Sequence, residues 1–301
     1  MFSVIVPSFN QAAFLEKTLE SLANEQAGLT RILIADGGST DGSLEILKKW
    51  SSRLEWWCSE PDSGQSDAIN KAIAHVRTPY WSYLNSDDLL MPSSLEKVLT
   101  AFQNADVHWV GGVSEIIEGT DTVGEVRPTA PRSQKDYLSP WKRESQYVLP
   151  CSNVSFMRTE LMSRLGVIDA TYHFGMDIEY YCRAVFRERI VPFLLPDILG
   201  KWRIHSESKT MRDGLAWGFR HDEVRIAEKY LGFLSLDDQR EILKEIAIQK
   251  KWLVCRKAMH WLSKNEKMSA KSELLRGVFR LPSLIAFRPW WGAFRRVFAG
   301  I

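Results

Sequence analysis

The chain has 301 residues, of which 45% are hydrophobic and 25% are charged. This is the composition of a soluble globular protein with room for one large domain and an appendage. The formal net charge of +2 argues neither for nor against a polyanionic partner such as nucleic acid. Four scattered cysteines without a CxxC pair disfavour a zinc ribbon, a thioredoxin-type site and a disulfide framework, and suit a reducing compartment.

The N-terminal stretch MFSVIVPSFN has no basic region, and its apolar run is too short for a signal peptide. The sequence contains no uninterrupted run of 18 or more apolar residues, so no transmembrane helix is predicted. We therefore expect the chain to begin with a strand of a cytoplasmic domain.

Strands and helices alternate over the first 85 residues. The β-branched and apolar runs predict strands at 3–8, 30–38, 54–60 and 80–85, and helical spacing predicts helices at 10–26, 43–52 and 65–76. This alternation predicts an α/β fold whose parallel sheet is covered on both faces. Ligands of such sheets bind beyond the carboxyl ends of the strands. Four polar turns fall at those ends and should converge on one crevice: 7–8, 36, 60–62 and 85–88.

The alternation loosens after residue 105. Residues 106–117 and 125–130 resemble strands of a mixed region, and 131–150 are rich in loop-forming residues. Helices are predicted at 176–188 and, with charged faces, from about 214 to 265.

The run PYWSYLNSDDLL ends an apolar strand in two neighbouring carboxylates, Asp87 and Asp88. Such a pair resists desolvation unless something neutralises it. A solvated turn is the simpler interpretation, since short motifs match by chance. The strand-end position favours a Mg²⁺ or Mn²⁺ site, because these ions are often held by one or two carboxylates and substrate phosphates.

Two further turns carry polar residues. Asp36 ends a strand before the glycine-rich ADGGSTDGS, where a carboxylate can bind a ribose hydroxyl or a base N–H, although a plain turn opening a helix is common. The segment SEPDSGQSDAIN holds four polar residues within nine positions, and a capped helix start explains part of that density. They are Asp62, Gln65, Asp67 and Asn70.

Four blocks together resemble the family 2 glycosyltransferases with a GT-A fold: SVIVPSFNQAAFLEKTLESL, ILIADGGSTDGSLEIL, SEPDSGQSDAINKAI and YLNSDDLLMPSSL. The resemblance covers about residues 1–210 and implies an inverting enzyme that uses a nucleotide-diphosphate sugar, a UDP-sugar in our prediction, and Mn²⁺ or Mg²⁺. It implies that Asp87 is a metal ligand. It assigns the following residues to nucleotide-sugar binding: Pro7, Phe9, Asp36, Asp62, Gln65, Asp67, Asn70, Asn85, Ser86 and Asp88. Asn85 stands where the family's D-x-D signature begins with an aspartate.

The segment YHFGMDIEYYCRAV resembles the part of the family that carries the catalytic base. Asp177 matches the base, Met176 replaces the usual glutamate, and Glu179 and Arg183 fit the following helix. A helix-start carboxylate that interacts with the helix dipole is the simpler interpretation of Asp177, and the two are compatible.

GKWRIHSESKT, interpreted as a polar loop, resembles the R-x-H-x-x-S-K element of related enzymes. The resemblance implies that His205 reaches the metal or the diphosphate, and that Ser208 and Lys209 lie over the phosphates.

The tail 271–301 has a net charge of +5, so the remainder carries −3. Its Trp, Phe and Arg residues are typical of short amphipathic pieces in an anionic membrane interface, and packing onto the catalytic domain is the alternative.

We therefore predict a GT-A domain at 1–210, divided into a nucleotide-sugar half (1–105) and an acceptor half (106–210), and a helical region at 211–301. The predicted enzyme adds a sugar to a glycan or a polyprenyl-diphosphate-linked acceptor of a cell-surface polysaccharide, peripherally at the inner face of the cell membrane, with no nucleic-acid partner. A nucleotidyltransferase and a non-catalytic sugar-nucleotide-binding scaffold remain the alternatives.

Overall fold

The computed structural model describes residues 1–25, 28–141, 149–209 and 217–298. Part of the predicted loop-rich segment (142–148) and the predicted helix start at 214–216 lie outside the described residues. Within the described ranges, none of the helices combines the length and the hydrophobicity that crossing a membrane requires.

Four parallel strands form the first part of the sheet. They are β1 (Phe2–Ser8), β2 (Thr30–Asp36), β3 (Trp56–Ser59) and β4 (Tyr80–Tyr83), in the order β3-β2-β1-β4. All of β1 is buried, as expected for a continuous apolar strand covered on both faces. The predicted alternation is confirmed here, with helices α1 (Ala12–Ala23), α2 (Ser43–Trp50) and α3 (Gln65–Ile73) between the strands.

The other strands make the sheet mixed. They are β5 (Leu89–Leu90), β6 (Trp109–Glu118), β7 (Asp121–Val126), β8 (Ser155–Arg158) and β9 (Phe193–Ile204). β8 joins β4 to β6 by antiparallel pairing, β9 runs parallel to β6, and the short β5 pairs antiparallel with the end of β9. The pairing of β5 with β9 brings the residues after β4 beside the residues that end β9, which positions the site described below.

Helices cover the sheet through apolar faces. Leu15, Leu19 and Leu22 of α1 recur at helical spacing and are buried in the core beside β1 and β2. Helix α4 (Ser94–Ala101) begins under the buried Glu25 carboxylate, which accepts hydrogen bonds from the N–H groups of Ser94 and Leu95 at 3.2 and 3.1 Å. A side-chain acceptor at this place satisfies donors that the helix itself leaves unpaired.

The remaining helices are α5 (Thr159–Leu165), α6 (Met176–Arg187), α7 (Phe219–Tyr230), α8 (Leu236–Ser263), α9 (Lys267–Arg280) and α10 (Arg288–Phe298). The chain forms two compact units. The first comprises the described parts of Met1–Pro131, Gln146–Tyr172 and Met176–His205, and the second those of Arg132–Ser145, His173–Gly175 and Ser206–Ile301. The sheet belongs to the first unit, and α7 to α10 belong to the second.

Two local predictions were wrong. The predicted strand 125–130 ends at Val126, because β7 is the hairpin partner of β6 and begins earlier, at Asp121. The segment 200–210 is a loop only from His205 onwards, since residues 200–204 complete β9.

Candidate active site

The turn after β4 is held in place by α1. The N–H of Asp88 donates to the carbonyl of Asn85 at 3.0 Å and closes the turn. The buried hydroxyl of Thr18 lies 2.9 Å from the carbonyl oxygen of Ser86 and 2.8 Å from that of Asp88. The sequence analysis missed Thr18, although a threonine among the leucines on the apolar face of a helix signals a buried hydroxyl that needs an acceptor.

Asp88 is the buried member of the carboxylate pair, with 1% of its surface exposed. Its Oδ1 accepts the N–H of Arg203 at 3.0 Å, and its Oδ2 accepts Asn85 Nδ2 at 3.3 Å. Burial raises the pKa of Asp88 well above its ordinary value, and the charge of Asp87 raises it further. Asp88 therefore joins the turn to the end of β9.

Asp87 makes a different contact. Its Oδ2 lies 2.9 Å from Nε2 of His205, 118 positions along the chain. Arg203 Nε donates to the Asp87 carbonyl at 2.9 Å, so the main chain is fixed independently of the carboxylate. The Phe14 ring, which the sequence analysis did not single out, lies 4.4 Å from the His205 ring and 5.3 Å from the Arg203 guanidinium carbon.

The Asp87 and His205 pair fits two neighbouring ligands of one divalent cation. Two cis ligands of an octahedral ion with bonds of about 2.1 Å stand about 3 Å apart, close to the 2.9 Å between Oδ2 and Nε2. In the part of the chain that the structure describes, no three side chains of His, Cys, Asp or Glu gather as a metal site. Ions of this class usually complete their shell with substrate phosphates and water.

The glycine-rich turn after β2 is organised by Asp36, which is 1% exposed. Its Oδ2 accepts the N–H groups of Gly38 and Ser39 at 3.2 and 2.9 Å and the Ser59 hydroxyl at 2.7 Å. Its Oδ1 accepts the Ser39 hydroxyl at 2.5 Å. A carboxylate offers about four lone-pair sites, so the protein's own donors already engage Asp36. Pro7 is buried at the end of β1, and the Phe9 ring that follows is 58% exposed.

The polar residues of the segment 62–70 contact different parts of the protein. Gln65 Nε2 donates to Asn85 Oδ1 at 2.7 Å, which links this segment to the acidic turn. Asp62 and Asp67 accept the N–H groups of Gly64 and Ser63, at 2.8 and 3.0 Å, in the turn that precedes α3. The Asn70 amide exchanges two hydrogen bonds with the backbone of Ile168, at 2.8 and 2.9 Å, and so anchors the loop after α5.

Asp177 lies in the first turn of α6, where its Oδ1 accepts the Ile178 N–H at 2.8 Å. It borders a cavity of about 10 Å³, the size of one water molecule. Four aromatic side chains also line this cavity: Trp81, Tyr83, Tyr180 and Tyr181.

The Tyr83 hydroxyl and the Cys151 thiol are both influenced by the carboxylates of Asp177 and Asp88. Burial raises the pKa of the Tyr83 hydroxyl well above its ordinary value, and the charges of Asp177 and, more weakly, Asp88 raise it further. Burial, followed by the same two carboxylates, raises the pKa of the Cys151 thiol to about 12. Asp177 and Tyr83 also line the same cavity, and Tyr83 ends the strand before the acidic turn, although 89 positions separate Asp88 from Asp177 in the sequence.

The helix after Asp177 is anchored by a buried ion pair. Glu179 is fully buried, and Arg183 Nε lies 2.8 Å from its Oε2. Arg183 Nη1 also donates to the carbonyls of Leu165 and Val167 at 2.9 and 2.7 Å. These contacts join α6 to the loop after α5 and make the helix start a rigid place for Asp177.

Ser208 and Lys209 belong to the second unit. Ser208 is buried, while Lys209 Nζ donates to the carbonyl of His173 and lies 5.4 Å from the centre of the Phe174 ring. Their role over the phosphates stays a prediction.

Residues 3–163, more than half of the chain, match the sequence model described as Glycosyl transferase family 2. The chain belongs to this family. An uncharacterised family relative from Mycobacterium tuberculosis, the glycosyltransferase Rv1514c, is 29% identical over 187 residues, which cover 60% of this chain and 68% of the relative. The chondroitin synthase of Pasteurella multocida is 30% identical over 105 residues, 34% of this chain and 11% of that protein.

Two solved structures resemble the whole chain of this family 2 glycosyltransferase. Residues 1–349 of Staphylococcus aureus TarS in complex with UDP-GlcNAc give a TM-score of 0.54 at 16% identity, covering 93% of this chain and 91% of that one. The mannosyltransferase PcManGT of Pyrobaculum calidifontis, in complex with GDP-Man and Mn²⁺, gives a TM-score of 0.55 at 16% identity, covering 97% and 82%. The predicted GT-A fold with C-terminal helices is confirmed.

Proposed function

We propose that this family 2 glycosyltransferase is an inverting, metal-dependent enzyme. It transfers a hexosyl or N-acetylhexosaminyl group from a UDP-sugar to a glycan or lipid-linked acceptor in cell-surface polysaccharide synthesis. The observation that carries the proposal is the 2.9 Å contact of His205 with Asp87, in the turn after the strand whose Tyr83 lines one cavity with Asp177.

On the donor side, Asp87 and His205 would hold Mn²⁺ or Mg²⁺. When bound, the cation supplies positive charge for the diphosphate that leaves. Asn85, Ser86 and the exposed ring of Phe9 lie next to these ligands or at the adjacent strand end, so we assign them to donor binding. PcManGT binds its GDP-sugar with Mn²⁺, which supports a metal-assisted donor site here.

On the acceptor side, Asp177 acts as the general base. It takes the proton of the acceptor hydroxyl while that oxygen forms a bond to the anomeric carbon of the sugar. The bond from the anomeric carbon to the diphosphate oxygen breaks on the opposite face, and the nucleoside diphosphate leaves with that electron pair. Inversion follows because this single displacement needs no protein nucleophile.

The relatives support the proposed classes of donor and acceptor. TarS binds UDP-GlcNAc, and a chondroitin synthase is 30% identical to this chain over 105 residues. These names support a UDP-sugar and a polysaccharide product. An acceptor carried by a lipid would suit the basic, aromatic tail, which we propose lies at a membrane surface.

A donor screen followed by one variant tests the function. UDP-glucose, UDP-GlcNAc and GDP-mannose are titrated by calorimetry with and without Mn²⁺, and the donor that binds is then used in transfer and hydrolysis assays. We expect Asp177→Asn to lower kcat by about 10³-fold, within the range for loss of a general base, while the donor Kd changes less than about threefold. Wild-type turnover in Asp177→Asn would refute the base assignment, and a chain that binds donor without turnover would support the scaffold alternative.

A further inference from the structure

Helices α8 and α10 of the second unit enclose an open groove of about 600 Å³, a volume typical of ligand sites. Arg256, His260 and Arg296 line it, whereas no acidic residue does. Among the described residues, neither arginine has a carboxylate within the 4 Å of an ion pair. Glu223, the carboxylate that interacts with Arg256 at longer range, is paired with Arg220 at 3.2 Å. The groove therefore keeps its positive charge.

The floor and walls of the groove are apolar. Cys255 and Ala293 are buried beneath it, and Trp252, Met259 and Pro289 form its sides. A Cβ atom added to Gly292 would meet nothing within 4 Å, so the groove is open at this point. A cationic groove with apolar walls suits a ligand that joins a phosphate to a hydrocarbon chain.

Exposed apolar side chains also occur elsewhere in the second unit. Phe279 is 87% exposed and Trp291 46%, with Ile285 at 50%. The other face of these helices has its own core, which includes Leu274, Leu284 and Val297. The helices thus pack against one another, yet large apolar side chains remain exposed to solvent. The same region, 271–301, has a net charge of +5. Such a surface is typical of attachment to an anionic membrane.

We infer that the groove between α8 and α10 binds the head-group phosphate of an anionic membrane phospholipid. Arg256 and Arg296 contact the phosphate, and Trp252 lies along the glycerol and upper acyl region. The inference depends on neither the donor nor the base, so it stands or falls separately from the proposed transfer reaction.

Vesicle binding of the full chain tests this inference. Wild-type protein is partitioned by sedimentation onto phosphatidylcholine vesicles with and without about 30% phosphatidylglycerol. We expect the partition coefficient to rise at least tenfold with the anionic lipid. Arg256→Gln with Arg296→Gln should reduce the coefficient at least tenfold more than Arg276→Gln with Arg280→Gln, an exposed pair that loses the same charge outside the groove.

A substitution without charge change separates the groove from general surface attraction. Gly292→Leu fills the groove and should lower the coefficient about tenfold, whereas Gly232→Leu, at an equally open position outside it, should leave the coefficient unchanged. Circular dichroism confirms that each variant is folded. Equal losses in the two arginine pairs, or a Gly292→Leu coefficient like that of Gly232→Leu, would overturn the inference.

Discussion

Two turns of the sheet each place an aspartate at the carboxyl end of a strand, yet their carboxylates are used differently. Asp36 accepts four hydrogen bonds from the turn that follows it and from Ser59. Among the described residues, the Asp87 carboxylate has one such contact, to His205 at 2.9 Å. The two strand-end aspartates therefore differ in how many hydrogen bonds the protein itself gives their carboxylates. Asp87 differs from Asp36 because most of the hydrogen-bond acceptor sites on its carboxylate oxygens receive no donor from the described residues.

Removing the Asp87 carboxylate should have the largest effect. Asp87→Ala should weaken Mn²⁺ binding in the presence of UDP at least about 100-fold, because it deletes a charged ligand rather than a supporting contact. Asp36→Ala serves as the control and should keep the Mn²⁺ affinity within about threefold. Calorimetric titration of Mn²⁺ into the UDP-saturated protein measures both, and equal losses in the two variants would remove the distinction between the turns.

Removing the Asp36 carboxylate should instead lower stability. Asp36→Ala leaves two serine hydroxyls and two backbone N–H groups without their acceptor, so the free energy of unfolding should fall by about 2 kcal/mol. Urea unfolding followed by fluorescence measures it. Asp237, whose side chain is 90% exposed, provides the control, and Asp237→Ala should cost at most about 0.5 kcal/mol. An Asp36→Ala variant as stable as Asp237→Ala would show that the observed hydrogen bonds contribute little.

A third carboxylate, Asp222 of the second unit, extends the comparison of Asp36 and Asp87, because its hydrogen bonds should make stability depend on pH. Burial alone would raise the pKa of Asp222, but hydrogen bonds from His221 and from the N–H groups of Phe174 and Gly175 outweigh it and lower the pKa. Because the pKa of Asp222 is lower in the folded state, its ionised carboxylate stabilises the folded protein at pH values above the ordinary carboxyl pKa of about 3.9. This contribution to stability is lost as the pH falls through the folded-state pKa. Asp222 therefore resembles Asp36 in its engagement by the protein.

We expect Asp222→Asn to be less stable than wild type by about 1 kcal/mol at pH 7. That difference should shrink as the pH falls from the ordinary carboxyl value of about 3.9 through the lowered folded-state pKa, where the wild-type carboxylate takes up its proton. Unfolding curves of both proteins at several pH values provide the measurement. A difference that stays constant across this range would argue against an ionised, hydrogen-bonded Asp222.

The sequence allowed the parallel half of the sheet to be predicted because its signals are local. Each strand from β1 to β4 is a short apolar run that ends in a polar turn, and each intervening helix has its own spacing. The predictions around 200–204 were wrong because β9 depends on pairing with β6 and β5, far away in the chain. The local sequence GKWRI does not indicate which strands β9 pairs with.

The same distinction applies to the candidate site. Asp87 and His205 were predicted as metal ligands from the family resemblance, but the 2.9 Å contact between them depends on the pairing of β5 with β9. The hydrogen bonds that Asp36 accepts were not predicted either, since one of the four donors is Ser59 of β3, 23 positions later in the chain. Whether a carboxylate is saturated depends on tertiary neighbours, and the sequence alone does not show them.

The central claim is that Asp87 and His205 together hold a divalent cation on the donor diphosphate. Crystals grown with Mn²⁺ and UDP, measured at the manganese absorption edge, test it directly. The claim predicts one anomalous peak in contact with both Asp87 Oδ2 and His205 Nε2 and adjacent to the UDP phosphates. Ordered UDP with no peak at this pair, or with manganese bound by other side chains, would contradict it.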